Sequence, residues 1–490
     1  MNQRIAWFGS AALVLALAIA GCGGFTRPSS YSLGPAGANM VFVKGIAVPL
    51  PYGQPLIGFD ISYVDATNRQ YYLAEGQVGG VVLLDLDSLV DSAPKVSVFV
   101  PTGANAFAGN QSDVNDVNAF PGGPNGLVTA NSGAELWAAD ANTYSSNPIS
   151  GVNSNVADYS NDNCDSSVKV ITLATMSTQT IPTNGCFKSD ELTYDSVDKV
   201  VLVANPDEKP NCTLCYAGLN SLGNFAPYSV AIPPANRKLT GALEGPFISL
   251  ISATSKTVLK QIAFDGTGGT PNADGGIEQP VYSSATGLFY VSIPSNSKDS
   301  GGDIAVVNPT TYAVTTHPLT DGCNPTGMVL GPDGKEVFLA CNTLDGPQIV
   351  SLVNWSLISG TNQFAAANAM PTDGPSLANY FGPSCDEAWF NSALDDYMVV
   401  CNFTYDNANF TVVNAGTGLT VPNAEYPEVV YTNPSGAISA GAAHSIASDN
   451  VTGAVLVPLP MGDPLCLDSG GVGCIGVWAP IGSTLQVDAQ

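Results

Sequence analysis

Charge is what this chain has least of. Only 11% of its 490 residues are charged, and basic residues are the scarcer kind: 15 lysines and arginines against 41 aspartates and glutamates, for a net charge of −26. A surface so acidic repels nucleic acid and anionic lipid head groups, which excludes polyanion binding. Solubility accounts for such a charge, and attraction of cations is the sharper alternative. Histidine is rarer still, with two copies. His317 falls in a predicted outer strand and reads as a surface residue, which leaves His444 as the candidate general base, since imidazole titrates near neutrality.

Other catalytic signatures are missing too. There is no Gly-x-Ser-x-Gly elbow, no His-Glu-x-x-His, no phosphate loop and no EF-hand loop. Apolar runs with the 3.6-residue helical period are scarce, while 51 glycines and 35 prolines punctuate short apolar stretches. The expected class is all-β. No low-complexity linker divides the long remainder of the chain, although one compact core seldom grows so large, and a repeat architecture resolves that conflict.

The start of the chain is the exception to the shortage of long apolar runs. Asn2-Gln3-Arg4 precedes an apolar stretch over 5–20 that is too short for a settled membrane span and reads as a secretory signal. It ends in Ile19-Ala20-Gly21-Cys22, which resembles the lipobox of bacterial lipoproteins. That resemblance implies a signal peptide over 1–21, lipidation (palmitate included) at Cys22, and an anchor in the outer membrane, because Gly23 rather than aspartate follows. Residues 22–37 then read as a flexible tether, and 38–490 as the folded domain.

Export agrees with the cysteines. Eleven are present, and setting Cys22 aside leaves an even number for an oxidising compartment. Local spacing suggests Cys164–Cys186, Cys212–Cys215, Cys323–Cys341, Cys385–Cys401 and Cys466–Cys474, although connectivity does not follow from sequence alone. Cys212-Thr213-Leu214-Cys215 reads as a loop clip, because no second cysteine pair stands at zinc spacing and Tyr216 occupies the place where haem attachment needs histidine.

The clearest stretch is 322–342, an apolar strand, a Pro332-Asp333-Gly334 turn and a second apolar strand. Looser copies pair 59–64 with 70–74, 124–128 with 135–139, 190–194 with 199–205, 277–282 with 287–292, 386–390 with 396–402, and 443–447 with 453–458. Seven copies, several followed by a further strand pair such as 303–308 with 313–319, predict a seven-bladed β-propeller of four-stranded blades. The phrases Tyr290-Val291-Ser292, Ile304-Ala305-Val306-Val307-Asn308-Pro309 and Gly331-Pro332-Asp333-Gly334-Lys335 resemble the YVTN-type repeats of exported bacterial propellers. Insertions are expected near 141–166 and 206–246. A strand at 40–43, rather than one at 485–487, is expected to close the ring against the C-terminal strand, because an unpaired edge invites aggregation.

Residues leading into the innermost strands should converge at one channel mouth: Asp60, Asn125, Asp190 or Glu191, Glu278, Asn324, Asp386 or Glu387, and His444. Oxygen ligands dominate that set, as suits a hard cation such as Ca²⁺. The pattern is more distantly similar to the regucalcin and gluconolactonase propellers, and that similarity implies a channel metal held by Glu278, Asn324 and Asp386. Two functions therefore stay open. One is a membrane-anchored scaffold for a protein or glycan partner; the other is a metal-dependent hydrolase or lactonase with His444 as base. A lyase or redox propeller would need a cofactor-docking pattern, and none is identified.

Overall fold

Seven antiparallel four-stranded sheets follow one another along the chain and form a ring of blades. The computed structural model describes residues 40–107, 123–141, 166–185, 188–206, 246–319, 322–359, 385–401, 409–420 and 445–485, with short gaps at 267–268, 274, 297–300, 343–346, 402–408, 417–418, 464 and 467–469. Backbone strands at 215–219, 225–228 and 426–427 are described as well. The innermost strands of the blades are Phe59–Asp65, Leu127–Ala130, Leu192–Asp195, Pro280–Ser283, Pro325–Leu330, Cys385–Asn391 and Ala447–Ser448. The sixth blade carries one more short strand, Tyr426–Pro427, against Asn409–Asn414.

Burial explains the apolar pattern of the sequence. Second and third strands lie inside a blade with neighbouring blades on both faces, so Val200–Asn205 and Asp303–Val307 are buried at every position. Outermost strands have one wet face, and Ser177–Pro182 alternates accordingly. Packed between the third and fourth blades, Leu202, Ile248, Leu250, Phe289, Val291 and Val307 form one of the inter-blade cores.

The hairpins share a turn grammar that fixes their register. Asp65, Asp195 and Asn391 each end an inner strand, Asp449 directly follows one, and all four accept hydrogen bonds from the backbone N–H groups two and three residues on. The fourth residue after each of these is left-handed: Arg69, Lys199, Asp395 and Gly453. Side chains of this kind cap the turn, and the left-handed residue returns the chain at the twist that the next strand needs.

Ring closure follows expectation. Met40–Ala47 pairs antiparallel with Cys474–Pro480, from Met40 opposite Pro480 to Ala47 opposite Cys474, and so supplies the outer strand of the seventh blade. Two predicted disulfides, Cys323–Cys341 and Cys466–Cys474, are formed. Cys385 is disulfide-bonded, and the register sets the backbone of Cys401 across from it. Cys164–Cys186 lies outside the described residues, as do the signal, Cys22, the tether over 22–37 and, in the predicted Cys212–Cys215 clip, Cys212 and the side chain of Cys215. Among the described residues no helix is long and apolar enough to cross a membrane.

Candidate functional site

The inner strands meet their neighbours start to start, and this brings the lead-in residues to one mouth of the channel. Gly126 N–H donates to Asp190 O at 3.0 Å, and Asn125 Nδ2 to Ser189 O at 2.9 Å, which joins the second blade to the third. Gln279 links the fourth blade to the fifth through Thr326 O and, by its side-chain oxygen, through the Met328 N–H at 2.6 Å. Thr326 Oγ1 in turn donates to Cys385 O of the sixth blade. Glu387 Oε2 accepts the Ile446 N–H at 2.8 Å, and Ser445 Oγ accepts the Ser62 N–H at 2.6 Å, which joins the sixth blade to the seventh and the seventh to the first.

Close packing at these starts demands small residues. A Cβ on Gly327 would sit 1.7 Å from Asp386 O, and one on Gly126 would sit 2.3 Å from Asp190 O, so both positions need glycine for the next blade to approach. Three inner strands also shift register at the mouth, between Phe59 and Ser62, between Pro325 and Met328, and between Cys385 and Ala388. Such bulges re-aim side chains at a sheet end. Asp60 and Asp386 lie inside two of them.

The acidic residues act on one another across the mouth. Glu191 is 6% exposed, and burial first, then Asp190, Glu278, Asp386 and Glu387, hold its carboxyl well above the usual range. Its Oε2 is buried and accepts no hydrogen bond. Asp190 is pushed up to about 6 by burial, with Lys188 pulling down and Asp60 and Asp386 pushing up. Lys188 Nζ lies 2.7 Å from Asp190 Oδ2. Burial disfavours its charge, yet Asp190, Asp60 and Glu278 outweigh that and raise its pKa. Carboxyl groups from the first, third, fourth and sixth blades thus share one electrostatic neighbourhood with one lysine.

The expected set is brought together in large part. Asp60, Glu191, Glu278 and Asp386 interact, directly or through Asp190 and Lys188. Asn125 is spent on the seam to the third blade, and Glu387 on the seam to the seventh. Asn324 is left-handed at φ 49°, and its Oδ1 is buried without a hydrogen-bond partner. His444 lies outside the described residues; His317 stacks on Trp355, with ring centroids 3.6 Å apart. Among the described residues no three Asp, Glu, His or Cys side chains converge as a metal ion requires. Lys188 was not foreseen, although a lone lysine two positions before Asp190, in a chain so short of bases, was the signal.

The long connections also begin and end at the mouth. In an up-and-down blade the connections alternate between its two ends. Short turns such as 66–69, 196–199, 284–287 and 392–395 fill the far end, where the longest, 86–95, contains the 3-10 turn Leu86–Val90. Connections 100–126, 141–166, 206–246, 264–279, 360–384 and 421–446 all run between strand ends at the mouth.

The fold and the mouth define a seven-bladed β-propeller with an acidic channel entrance. No protein-family model matches the chain, and no curated protein matches it. Among solved structures, 1123 chains resemble it. One, in the crystal structure of the mitotic checkpoint complex, is 8% identical with a TM-score of 0.47, over 98% of this chain and 99% of that one. The assignment as a propeller rests on the strand pairings above rather than on that likeness.

Proposed function

We propose that this protein is an exported, lipid-anchored propeller of the YVTN type that serves as a binding scaffold and holds a protein partner on its mouth face. One observation carries this reading: the strand ends that the long connections join lie at the same end of the blades as the mutually interacting carboxyl groups, while short turns occupy the other end. A scaffold needs one variable face and one invariant frame, and repeat folds divide their surface in this way. The lipobox supports the anchor, with Cys22 as the acylated residue and the tether long enough to let the disk stand off the outer membrane.

The test is photo-crosslinking in cells, with the crosslinking residue at Asn342, exposed on the mouth face, or at Asp333, exposed in a far-end turn. A discrete adduct with a protein is expected from Asn342 and none from Asp333. Equal adducts from both sites, or an adduct that glycosidase alone removes, would overturn the protein-scaffold reading. A separate expectation concerns the anchor: Cys22→Ser should abolish palmitate incorporation and move the protein from the membrane fraction to the soluble one. Retention of label by that variant would remove the lipoprotein assignment.

A further inference from the structure

The mouth already holds one cation of its own. Lys188 places an ammonium 2.7 Å from Asp190, and its charge is held there by Asp60 and Glu278 as well. Glu191 is more than nine-tenths buried, its Oε2 accepts no hydrogen bond, and the charges that bear on it from the third, fourth and sixth blades, Asp190, Glu278, Asp386 and Glu387, are all carboxyl groups. A buried polar oxygen without a partner is costly, and at a channel mouth a ligand that supplies the donor would satisfy it. Loop geometry does not satisfy it; a second cation would.

We propose that the mouth binds a basic side chain of a protein partner, a lysine ammonium or an arginine guanidinium, with Glu191 as the buried acceptor and Glu278 and Asp386 around it. This deepens the scaffold reading and rests on it. The carboxyl groups feel one another without three of them converging on one point, an arrangement that a multi-donor organic cation can bridge at hydrogen-bond distance. Lys188 demonstrates the same contact from within the chain.

Proton linkage gives the proposal a signature. Glu191 holds its proton more tightly than a free carboxyl because of burial and the four like charges around it, with Asp190 also raised to about 6. A bound cation stabilises the ionised form, so binding releases protons, and affinity falls as pH drops through the range where Glu191 and Asp190 protonate. Asp60 and Lys188 face Asp190 and enter the same linkage.

The experiment is calorimetry on the detergent-solubilised full chain, titrated with tetralysine, with fully acetylated tetralysine and with calcium chloride. Tetralysine is expected to bind one to one, the acetylated peptide not at all, and affinity to increase between about pH 5 and about pH 8 with proton release in matched buffers. Glu191→Gln should weaken tetralysine by about tenfold or more, with Glu278→Gln as a second, less buried variant; Asp333→Asn at the far face should change nothing. Thermal melts check that each variant is folded. Equal affinity in wild type and both mouth variants, binding of the acetylated peptide, or a mouth that takes calcium and not tetralysine would overturn the inference. Crosslinking from Asn342 without tetralysine binding sinks the inference and leaves the scaffold. Tetralysine binding without that adduct supports the site and sinks the scaffold.

Discussion

A form of the protein that begins at Val48 should fail to fold into a soluble monomer, whereas one that begins at Ala38 should melt cooperatively. The difference is the strand Met40–Ala47, which completes the seventh blade from the far end of the sequence. Without it, the buried strand Cys474–Pro480 becomes an edge with a row of unpaired backbone groups, and Trp478 loses the edge contact of Phe42 at 5.1 Å. Met40 and Ile46 are buried, at about 1.5–3 kcal/mol for each such side chain. Lys44 reaches further, with Nζ donating to Leu89 O and to Asp91 O at 3.0 Å in the first blade, so the strand also ties the two ends of the ring. Against a total stability of about 5–15 kcal/mol, these losses are decisive. Size-exclusion chromatography and thermal melts would show it, and a peptide of residues 38–49 added in trans should restore part of the melt. A truncated protein whose midpoint stays within about 2 °C of the longer form would mean that the ring closes by other means.

That closing strand was legible because edge protection demands a partner for the last blade, and Met40-Val41-Phe42-Val43 is the apolar run available near the N-terminus. The blades were legible for a related reason: buried second strands such as Val200–Asn205 stay apolar up to their last residue, and turn residues recur at fixed offsets from them. The mouth could be read only as a ring of lead-in positions. Asp386 and Glu387 are neighbours in one strand, and a bulge at that point decides which enters the shared electrostatic field of Asp190 and which holds the Ile446 N–H. Sequence patterning alternates with a period of two, and a bulge breaks that period where it matters. Lys188 escaped notice because its role depends on Asp60 and Glu278, contributed by other blades. Pairings between blades leave no local trace, whereas pairings within a hairpin do.

Such a non-local pairing gives the second large effect. Replacing Arg69 by methionine should destabilise the fold by about 3–5 kcal/mol, because it strands a buried carboxylate. Arg69 stands at the left-handed position of the first blade's inner turn and grips Asp449 of the seventh with both terminal nitrogens, Nη2 to Oδ2 at 2.9 Å, while its Nε holds Asp87 at 2.9 Å. Asp449 is fully buried and also caps its own turn, accepting from Val451 N, Thr452 N and Thr452 Oγ1. These two jobs separate by substitution. Asp449→Asn retains a side-chain oxygen for the cap and gives up the charge, so in the Arg69→Met background it should restore stability relative to Arg69→Met alone. Asp449→Ala removes cap and charge together and should not. Urea melts of Arg69→Met, of Asp449→Asn and of Arg69→Met combined with Asp449→Asn or with Asp449→Ala decide it. A loss below about 1 kcal/mol for Arg69→Met would class the pair with exposed ion pairs, and strictly additive losses in Arg69→Met/Asp449→Asn would mean that the two residues do not act as a unit. Non-additivity is expected, because the guanidinium is the counter-charge that lets an aspartate sit buried in the seam where the ring closes.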